Sequence, residues 1–202
     1  MSGVVGIYSK SRNDVSKIIY YGLYALQHRG QVSTGIAVNN NGFIDYFKDR
    51  GLVHEVFPKE TMERLRGNIA IGHVRYATTG DATITNAQPL VVGYKRGALA
   101  LAHDGAVVNF KSLRDSLEDD GVIFQTELDT EVIANLIARH HKDNIEDAIV
   151  RTLDNIKGTY GLIMMTTDML IGARDPFGVK PLSLGKFGDD YILASETCAF
   201  DT

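Results

Sequence analysis

Four short segments carry the residues that could do chemistry. They are residues 1–3 at the amino terminus, 27–31 (Gln-His-Arg-Gly-Gln), 72–80 and 101–105 (Leu-Ala-His-Asp-Gly). Each is polar and contains glycine where the surrounding pattern predicts the end of a helix or strand, and Arg75 ends an apolar strand within the third. Binding and catalytic side chains concentrate at such positions, so these segments form the candidate site.

The same residues give little support for metal or phosphate chemistry. His28 and His103 lack a ligand spacing such as His-Glu-x-x-His, and we expect them to be structural histidines with satisfied hydrogen bonds. The single Cys198 cannot supply the several sulfurs of a zinc or iron–sulfur site. Residues 158–161 (Gly-Thr-Tyr-Gly) lack the lysine and the spacing of a phosphate-binding loop. We therefore expect no metal ion and no cofactor in this domain.

Short strands make up most of the elements that must position these segments. Runs of β-forming residues predict strands at 3–8, 35–38, 43–47, 68–76, 90–94, 98–103, 162–166, 169–173, 181–184 and 191–194. Residues 39–42 (Asn-Asn-Asn-Gly) predict a hairpin turn between the second and third. Apolar residues at helical spacing predict helices at 15–27 after an Asp14 N-cap, at 109–117, at 129–140 and at 145–156 after an Asn144 N-cap.

The order of these elements indicates the fold class. Strands group before and after a cluster of three helices, which argues against strict alternation of strand and helix. We predict an antiparallel α+β layered domain, with a doubly wound parallel sheet as the weaker alternative. The 202 residues contain no Pro-, Ser- or charge-rich linker, so a single domain over 1–202 is expected.

Composition excludes several classes of partner and location. A net charge of −4 disfavours nucleic acid. Since no apolar run approaches about 20 residues, no membrane insertion is expected, and the amino terminus lacks the pattern of a secretory signal. One cysteine cannot form an internal disulfide, which is typical of a reducing compartment. These observations predict a cytoplasmic protein.

Seven ordered blocks resemble those of the class II glutamine amidotransferases, whose glutaminase domain is an N-terminal-nucleophile hydrolase. The blocks are residues 27–31, 72–80, 86–89, 103–105, 129–132, 174–182 and 194–199. Within the class, the His-Arg-Gly-Gln block and the Arg-Asp-Pro-Phe-Gly and Ala-Ser-Glu-Thr-Cys-Ala runs resemble the glutaminase domain of the amidophosphoribosyltransferases of purine synthesis most closely. The resemblance runs the whole length of the chain.

This resemblance implies a fold and a reaction. The implied fold is a four-layer αββα sandwich with two antiparallel sheets face to face. In the implied reaction, the first residue of the mature chain attacks the side-chain amide of glutamine while its own α-amino group serves as general base. Ammonia is then supplied to a synthase domain. Arg29 and Gly30 match family residues that lie beside the site and support its structure.

The nucleophile position departs from the family pattern. The family has cysteine after the initial Met, whereas this chain has Ser2. A hydroxyl does not ionise appreciably at neutral pH, so Ser2 would depend wholly on its base. The serine is either a substitution that traps substrate or a natural divergence, and removal of Met1 is required to free the α-amino group.

The oxyanion position departs as well. Where the family uses an Asn side chain followed by a glycine N–H, this chain has Asp104 and Gly105. An ionised carboxylate cannot donate a hydrogen bond, and losing one such donor costs about 10²–10³ in turnover. A protonated Asp104 could still donate, but this would require a strongly raised pKa. Two altered positions favour divergence over a single trapping substitution.

The residues implied to bind glutamine match the family. Arg75 would hold the α-carboxylate and Asp129 the α-amino group, with added hydrogen bonds from Thr78 and Thr79. The alternative for Arg75 is a structural salt bridge. Leu128 stands where the family commonly has Thr, which removes a minor contact.

Two classes of function follow from the resemblance. The first is the glutaminase half of an amidophosphoribosyltransferase-like enzyme, with turnover impaired by Ser2 and Asp104. The second is a catalytically silent domain that binds glutamine or docks on a partner, and a weaker third option keeps Ser2 active on another amide. The chain ends at Thr202, so the phosphoribosyltransferase domain is expected to be absent and to be a candidate partner. A homo-oligomer is also expected.

Overall fold

The computed structural model describes residues 1–76 and 83–201. The strands described are β1 (Gly3–Tyr8), β2 (Ser33–Asn40), β3 (Phe43–Arg50), β4 (Ile69–Arg75), β5 (Leu90–Tyr94), β6 (Gly97–Val107), β7 (Gly158–Met165), β8 (Leu170–Arg174), β9 (Ser183–Phe187) and β10 (Asp190–Ala194). The helices are α1 (Ser16–Ala25), α2 (Val53–Val56), α3 (Lys59–Arg64), α4 (Phe110–Asp119), α5 (Asp129–His140) and α6 (Ile145–Asn155). Short 3₁₀ helices lie at Gln27–Arg29, Ile84–Asn86 and Thr197–Phe200.

The strands form two antiparallel sheets. One has the order β3-β2-β4-β1-β10-β9, and the other has the order β5-β6-β7-β8. Every neighbouring pair in both sheets is antiparallel. The prediction of an antiparallel α+β domain is therefore confirmed, and the parallel alternative is wrong.

Three apolar cores separate the layers. Alternate residues of central strands face opposite sides of a sheet, so that Val4 packs between the two sheets while Val5 packs under α1. A third core joins the four-stranded sheet to α5 and α6 through residues such as Leu101 and Ile133. Helix, sheet, sheet and helix thus stack in four layers, which confirms the αββα sandwich. Both faces of each sheet are covered, which explains why β4 is buried along its whole length.

Several local predictions are confirmed. The hairpin turn lies at Asn41 and Gly42, both with positive φ, as the tight turn between β2 and β3 requires. Helix α5 has the predicted bounds, and the Asn144 side chain accepts a hydrogen bond from the backbone N–H of Asp147 at 2.8 Å. No helix among the described residues is long and apolar enough to cross a membrane.

Other local predictions are wrong in detail. Asp14 does not cap α1, because its backbone pairs with Gly67 and its carboxylate contacts Lys17 Nζ at 3.1 Å. Helix α1 also ends two residues early, since residues 27–29 tighten into a 3₁₀ turn. The last hairpin begins later than predicted, at Ser183. The short helices α2 and α3 have too few residues to show a helical period.

Candidate active site

The amino terminus lies at the start of β1, where β4 of the same sheet and β6 of the other sheet approach it. Ser2 directly precedes β1, and its N–H donates to Asp104 Oδ1 at 2.8 Å. Its carbonyl oxygen accepts from Arg29 Nε at 2.8 Å, and its Oγ accepts from the Tyr76 N–H at 3.4 Å. Met1 is mostly exposed. Removal of Met1 would turn the Ser2 nitrogen into an α-amino group already in contact with Asp104.

Asp104 is a buried carboxylate between two cations. Its side chain is 2% exposed. Oδ2 accepts from Arg29 Nη2 at 2.9 Å, while Oδ1 accepts from Lys180 Nζ at 3.3 Å as well as from Ser2. Nitrogen donors thus point at both oxygens of Asp104, which acts as a hydrogen-bond acceptor in the fold. The geometry therefore favours an acceptor at this position over the protonated donor considered above.

Arg29 connects the amino terminus to the end of the chain. Besides Ser2 and Asp104, its guanidinium donates through Nη1 to Glu196 Oε1. The other Glu196 oxygen lies 3.0 Å from His28 Nε2. The hydrogen bond from Arg29 lowers the pKa of Glu196 more than burial raises it, and His28 lowers it further. Arg29 therefore contacts both Ser2 and Asp104, and its supporting role stays a prediction. Glu196 is a further partner that sequence analysis did not assign to the site.

Glycine is required at two site positions for reasons of space. A Cβ on Gly30 would lie 2.5 Å from the Arg75 carbonyl carbon. A Cβ on Gly105 would lie 2.0 Å from Thr159 O, and Gly105 has φ +154°. Both glycines let one backbone approach another closely, which holds β6 and the 3₁₀ turn against their neighbours. The role of the Gly105 N–H as an oxyanion donor stays a prediction.

Arg75 ends β4 beside the amino terminus. Gly3 of β1 pairs with Val74 of β4, so Arg75 lies opposite Ser2 at the end of these two strands. Arg75 is 5% exposed, and burial lowers the pKa of its guanidinium from the usual value. The predicted carboxylate-binding side chain is thus near the candidate nucleophile. Its predicted companions Thr78 and Thr79 lie outside the described residues.

Asp129 begins α5 and is tied to β6. Its Oδ1 lies 3.3 Å from His103 Nδ1, and its Oδ2 accepts from the Val107 N–H at 2.9 Å. Burial alone raises the pKa of Asp129, but His103 and the backbone N–H groups outweigh it and lower the pKa below its usual value. The Leu128 side chain contributes no cap to the helix, as expected of an apolar residue. Asp129 is therefore a charged, partly exposed acceptor whose glutamine-binding role stays a prediction.

The expectation of structural histidines with satisfied hydrogen bonds holds for the exposed His28 and not for the buried His103. His28 has partners for both ring nitrogens, as expected. His103 pairs with Asp129, yet its Nε2 has no hydrogen-bond partner among the described residues, and neither does His73 Nδ1. Burial is the main cause that lowers the pKa of His73 to about 3, so this ring is neutral. No group of three potential ligands in 1–76 and 83–201 could hold a metal ion.

Lys180 is a site residue that sequence reasoning missed. It belongs to the quoted block 174–182, but its role depends on a contact with Asp104, 76 residues earlier in the chain. Glu196 was missed for the same reason, since 167 residues separate it from Arg29. Membership of a matched block was the available signal for both residues, and the pairing itself required the folded chain.

The chain is similar in sequence to a known domain family and to several curated proteins. The family profile described as a glutamine amidotransferase domain matches residues 73–202. Amidophosphoribosyltransferases from Methanocaldococcus jannaschii and Bacillus subtilis are 48% and 46% identical, over 100% and 98% of this chain. The matches cover 43% and 42% of those proteins, so the chain spans less than half the length of these relatives.

Solved structures of glutamine amidotransferases share the fold of this chain. The Bacillus subtilis glutamine phosphoribosylpyrophosphate amidotransferase complexed with ADP and GMP is 45% identical, with a TM-score of 0.91 over 98% of this chain and 43% of that chain. A glutamine amidotransferase class-II domain protein from Silicibacter pomeroyi is 12% identical with a TM-score of 0.62, over 95% of this chain and 87% of that chain, which shows a shared fold alone. The chain belongs to the glutamine amidotransferase domain family, with the N-terminal-nucleophile hydrolase fold of its amidophosphoribosyltransferase relatives.

Proposed function

We propose that this domain binds glutamine and hydrolyses its side-chain amide slowly or not at all. The observation that carries the proposal is the pairing of Asp104 with Arg29 and Lys180, which favours an acceptor where the family uses a donor. Ser2 is the second departure. The proposal keeps the substrate of the family and limits the chemistry.

Substrate binding is supported by two charged groups of opposite sign. Arg75 offers a planar fork to the α-carboxylate, and its burial strengthens that interaction because solvent screens it less. Asp129 offers a carboxylate to the ammonium group, and its lowered pKa keeps it ionised at neutral pH. These two groups would bind the amino-acid end of glutamine and leave the amide to face Ser2.

The chemical step would begin at Ser2 once Met1 is removed. Its Oγ would bond to the amide carbon while its proton passes to the α-amino nitrogen. Collapse of the oxyanion would break the C–N bond and return that proton to the leaving ammonia, and water would then hydrolyse the ester. Serine is the weaker nucleophile in a site whose relatives use cysteine, so the first bond forms slowly.

The oxyanion is the larger obstacle. Negative charge would develop on the amide oxygen close to Asp104, which is itself negative and whose two oxygens already accept three hydrogen bonds. The missing donor costs about 10²–10³ in rate, and repulsion between two negative charges adds to that cost. Gly105 would be left as the remaining donor of the pair.

The full activity of the relatives extends the proposal to a partner. Amidophosphoribosyltransferases are more than twice the length of this chain. We propose that ammonia or bound glutamine is presented to a phosphoribosyltransferase domain, in the cytoplasm and in a homo-oligomer. The second candidate is a silent glutamine sensor or docking domain, which the charge network around Asp104 favours because it is complete without substrate.

The test begins with mass spectrometry of the purified amino terminus, which establishes whether Met1 has been removed. Glutamine binding is then measured by calorimetry, and ammonia release is measured on the same sample. We expect saturable binding with little or no ammonia. Turnover typical of a cysteine amidotransferase would refute the proposal. Absence of glutamine binding would also refute it, and would leave only the partner-docking form of the second candidate.

A further inference from the structure

The loop between β8 and β9 is built to hold Lys180 in place. Both oxygens of the Asp175 carboxylate accept backbone N–H bonds, among them one from Lys180 at 2.9 Å. Arg174 closes the loop from the other side, since its Nε donates to Lys180 O at 2.8 Å and its Nη2 to Gly178 O at 2.7 Å. The backbone of Lys180 is therefore fixed by two charged side chains, which limits where its ammonium group can reach.

Lys180 and Ser2 share one acceptor atom. The Lys180 ammonium and the Ser2 nitrogen both donate to Asp104 Oδ1, at 3.3 and 2.8 Å. The two nitrogens therefore lie within two hydrogen-bond lengths of each other. A positive charge on one at that distance disfavours a positive charge on the other, and the effect is strong because Asp104 is buried.

The four side chains that are ion-paired through Asp104 and Arg29 balance in charge when the α-amino group is neutral. Arg29 and Lys180 supply two positive charges, and Asp104 and Glu196 supply two negative charges. Without Lys180, the anions would exceed the cations by one, and protonation of the Ser2 nitrogen would restore neutrality. Without Lys180, Asp104 would thus keep the α-amino group of Ser2 protonated, although this group must accept a proton as general base.

We propose that Lys180 is a positioning residue that offsets the charge of Asp104 and so keeps the α-amino group of Ser2 neutral near pH 7 after removal of Met1. This inference rests on the proposed function for its purpose, but its test concerns the amino group and needs no turnover. In a chain with Asp104 in place of the family Asn, Lys180 preserves the general base even where the oxyanion site is impaired.

The other charged groups near this nitrogen do not replace Lys180. Arg29 divides its guanidinium between Asp104 and Glu196, so its charge is already shared with a second anion. Arg75 ends β4 opposite Ser2, and its charge is present both in the unmodified chain and in every Lys180 variant, so it does not account for a difference between them. In the chain that retains Met1, burial lowers the pKa of the terminal amino group, Asp104 raises it, and Lys180 and Arg29 lower it, which is the same balance of signs.

The test measures the pH dependence of acetylation of the Ser2 amine by trace acetic anhydride, read by mass spectrometry of the amino-terminal peptide. Lys180→Met should raise the midpoint by about one unit or more, because the like charge is lost while Asp104 remains. Lys180→Arg should leave the midpoint within about 0.3 units, since the charge is kept. Lys186→Met is the matched control and should leave the midpoint unchanged. Lys186 lies on β9, where its ammonium group is over the ring of Tyr191 on β10.

A double-mutant cycle that removes both charges keeps the test decisive if Lys180→Met folds poorly. Asp104→Asn should lower the midpoint, and Asp104→Asn with Lys180→Met should return it to within about half a unit of the unmodified chain. A midpoint that does not move in Lys180→Met, or that falls, overturns the inference. So does a double variant whose midpoint stays as low as that of Asp104→Asn. These results are independent of glutamine binding, so they are distinguishable from failure of the proposed function.

Discussion

Restoring the family residues at the two altered positions should recover glutaminase activity in a strongly non-additive way. Ser2→Cys alone supplies the better nucleophile, but the oxyanion still faces the Asp104 carboxylate, which lies 2.8 Å from the Ser2 nitrogen. Asp104→Asn alone supplies the donor to a serine that attacks slowly. The missing donor is worth about 10²–10³, or roughly 3–4 kcal/mol, so the double variant should exceed Ser2→Cys by at least that factor.

The same substitution has a cost in stability that the structure also sets. Asp104→Asn removes the anion that Arg29 and Lys180 share, at side-chain exposures of 4% and 17%. Breaking a buried ion pair costs about 3–5 kcal/mol, and the lower end is expected because the asparagine carbonyl can still accept one bond. Thermal melting of each variant therefore accompanies the kinetics.

The assay is ammonia release from glutamine near pH 7 by the four proteins, each with removal of Met1 confirmed. Full activity of Ser2→Cys alone would show that Asp104 is compatible with the oxyanion, and that the reasoning about the carboxylate is wrong. A double variant that folds and binds glutamine but stays inactive would show that further positions have diverged. In that case the silent binding domain would be the better account.

Three further predictions concern binding and stability. Arg75→Ala should weaken glutamine binding by about 100-fold or more in calorimetry, since two charge-assisted bonds are lost; unchanged affinity would make Arg75 structural. Gly105→Ala should lower the melting temperature strongly because its Cβ would overlap a carbonyl oxygen, whereas Gly93→Ala has open space and should not; equal melting temperatures would contradict the packing argument. Asp129 and Glu196 have lowered pKa values in the fold, so each stabilises the folded chain fully above its ordinary pKa of 3.8 or 4.5, and this stabilisation is lost as the pH falls further. A free energy of unfolding, measured in urea, that does not decline in acid would contradict a stabilising role for the contacts of these two carboxylates.

Local patterns predicted the elements but not the layering. The strands could be predicted because apolar residues flanked by turn residues mark them, and α5 because its apolar stripe starts at Asp129 and ends before His141. The resemblance implied two antiparallel sheets face to face, but the order of strands in each sheet required the structure, since period-two patterns carry no information on which strands pair. Helix α1 ends at Ala25, and the 3₁₀ turn that follows carries Arg29, which contacts Ser2 and Asp104.

The site could be predicted in part. Motif blocks identified Arg29 and Asp104, and the nucleophile position of the family identified Ser2. The structure brings these three residues into direct contact. Lys180 and Glu196 were not identified, because their partners are far away in the chain and a lysine or glutamate on a loop is usually a solvated surface residue. The contacts of Asp104 with two cations also required the folded chain, since Arg29 and Lys180 come from separate elements.

The most direct test of the central claim is calorimetric titration of glutamine into the unmodified chain after removal of Met1, with ammonia measured in the cell at the end. Calorimetry detects binding as a saturable heat and hydrolysis as a continuing heat in one experiment. We expect a saturable isotherm without continuing heat, and ammonia at least about 10²-fold below that of the Ser2→Cys/Asp104→Asn variant. Continuing heat with ammonia release equal to that of the variant would contradict the account.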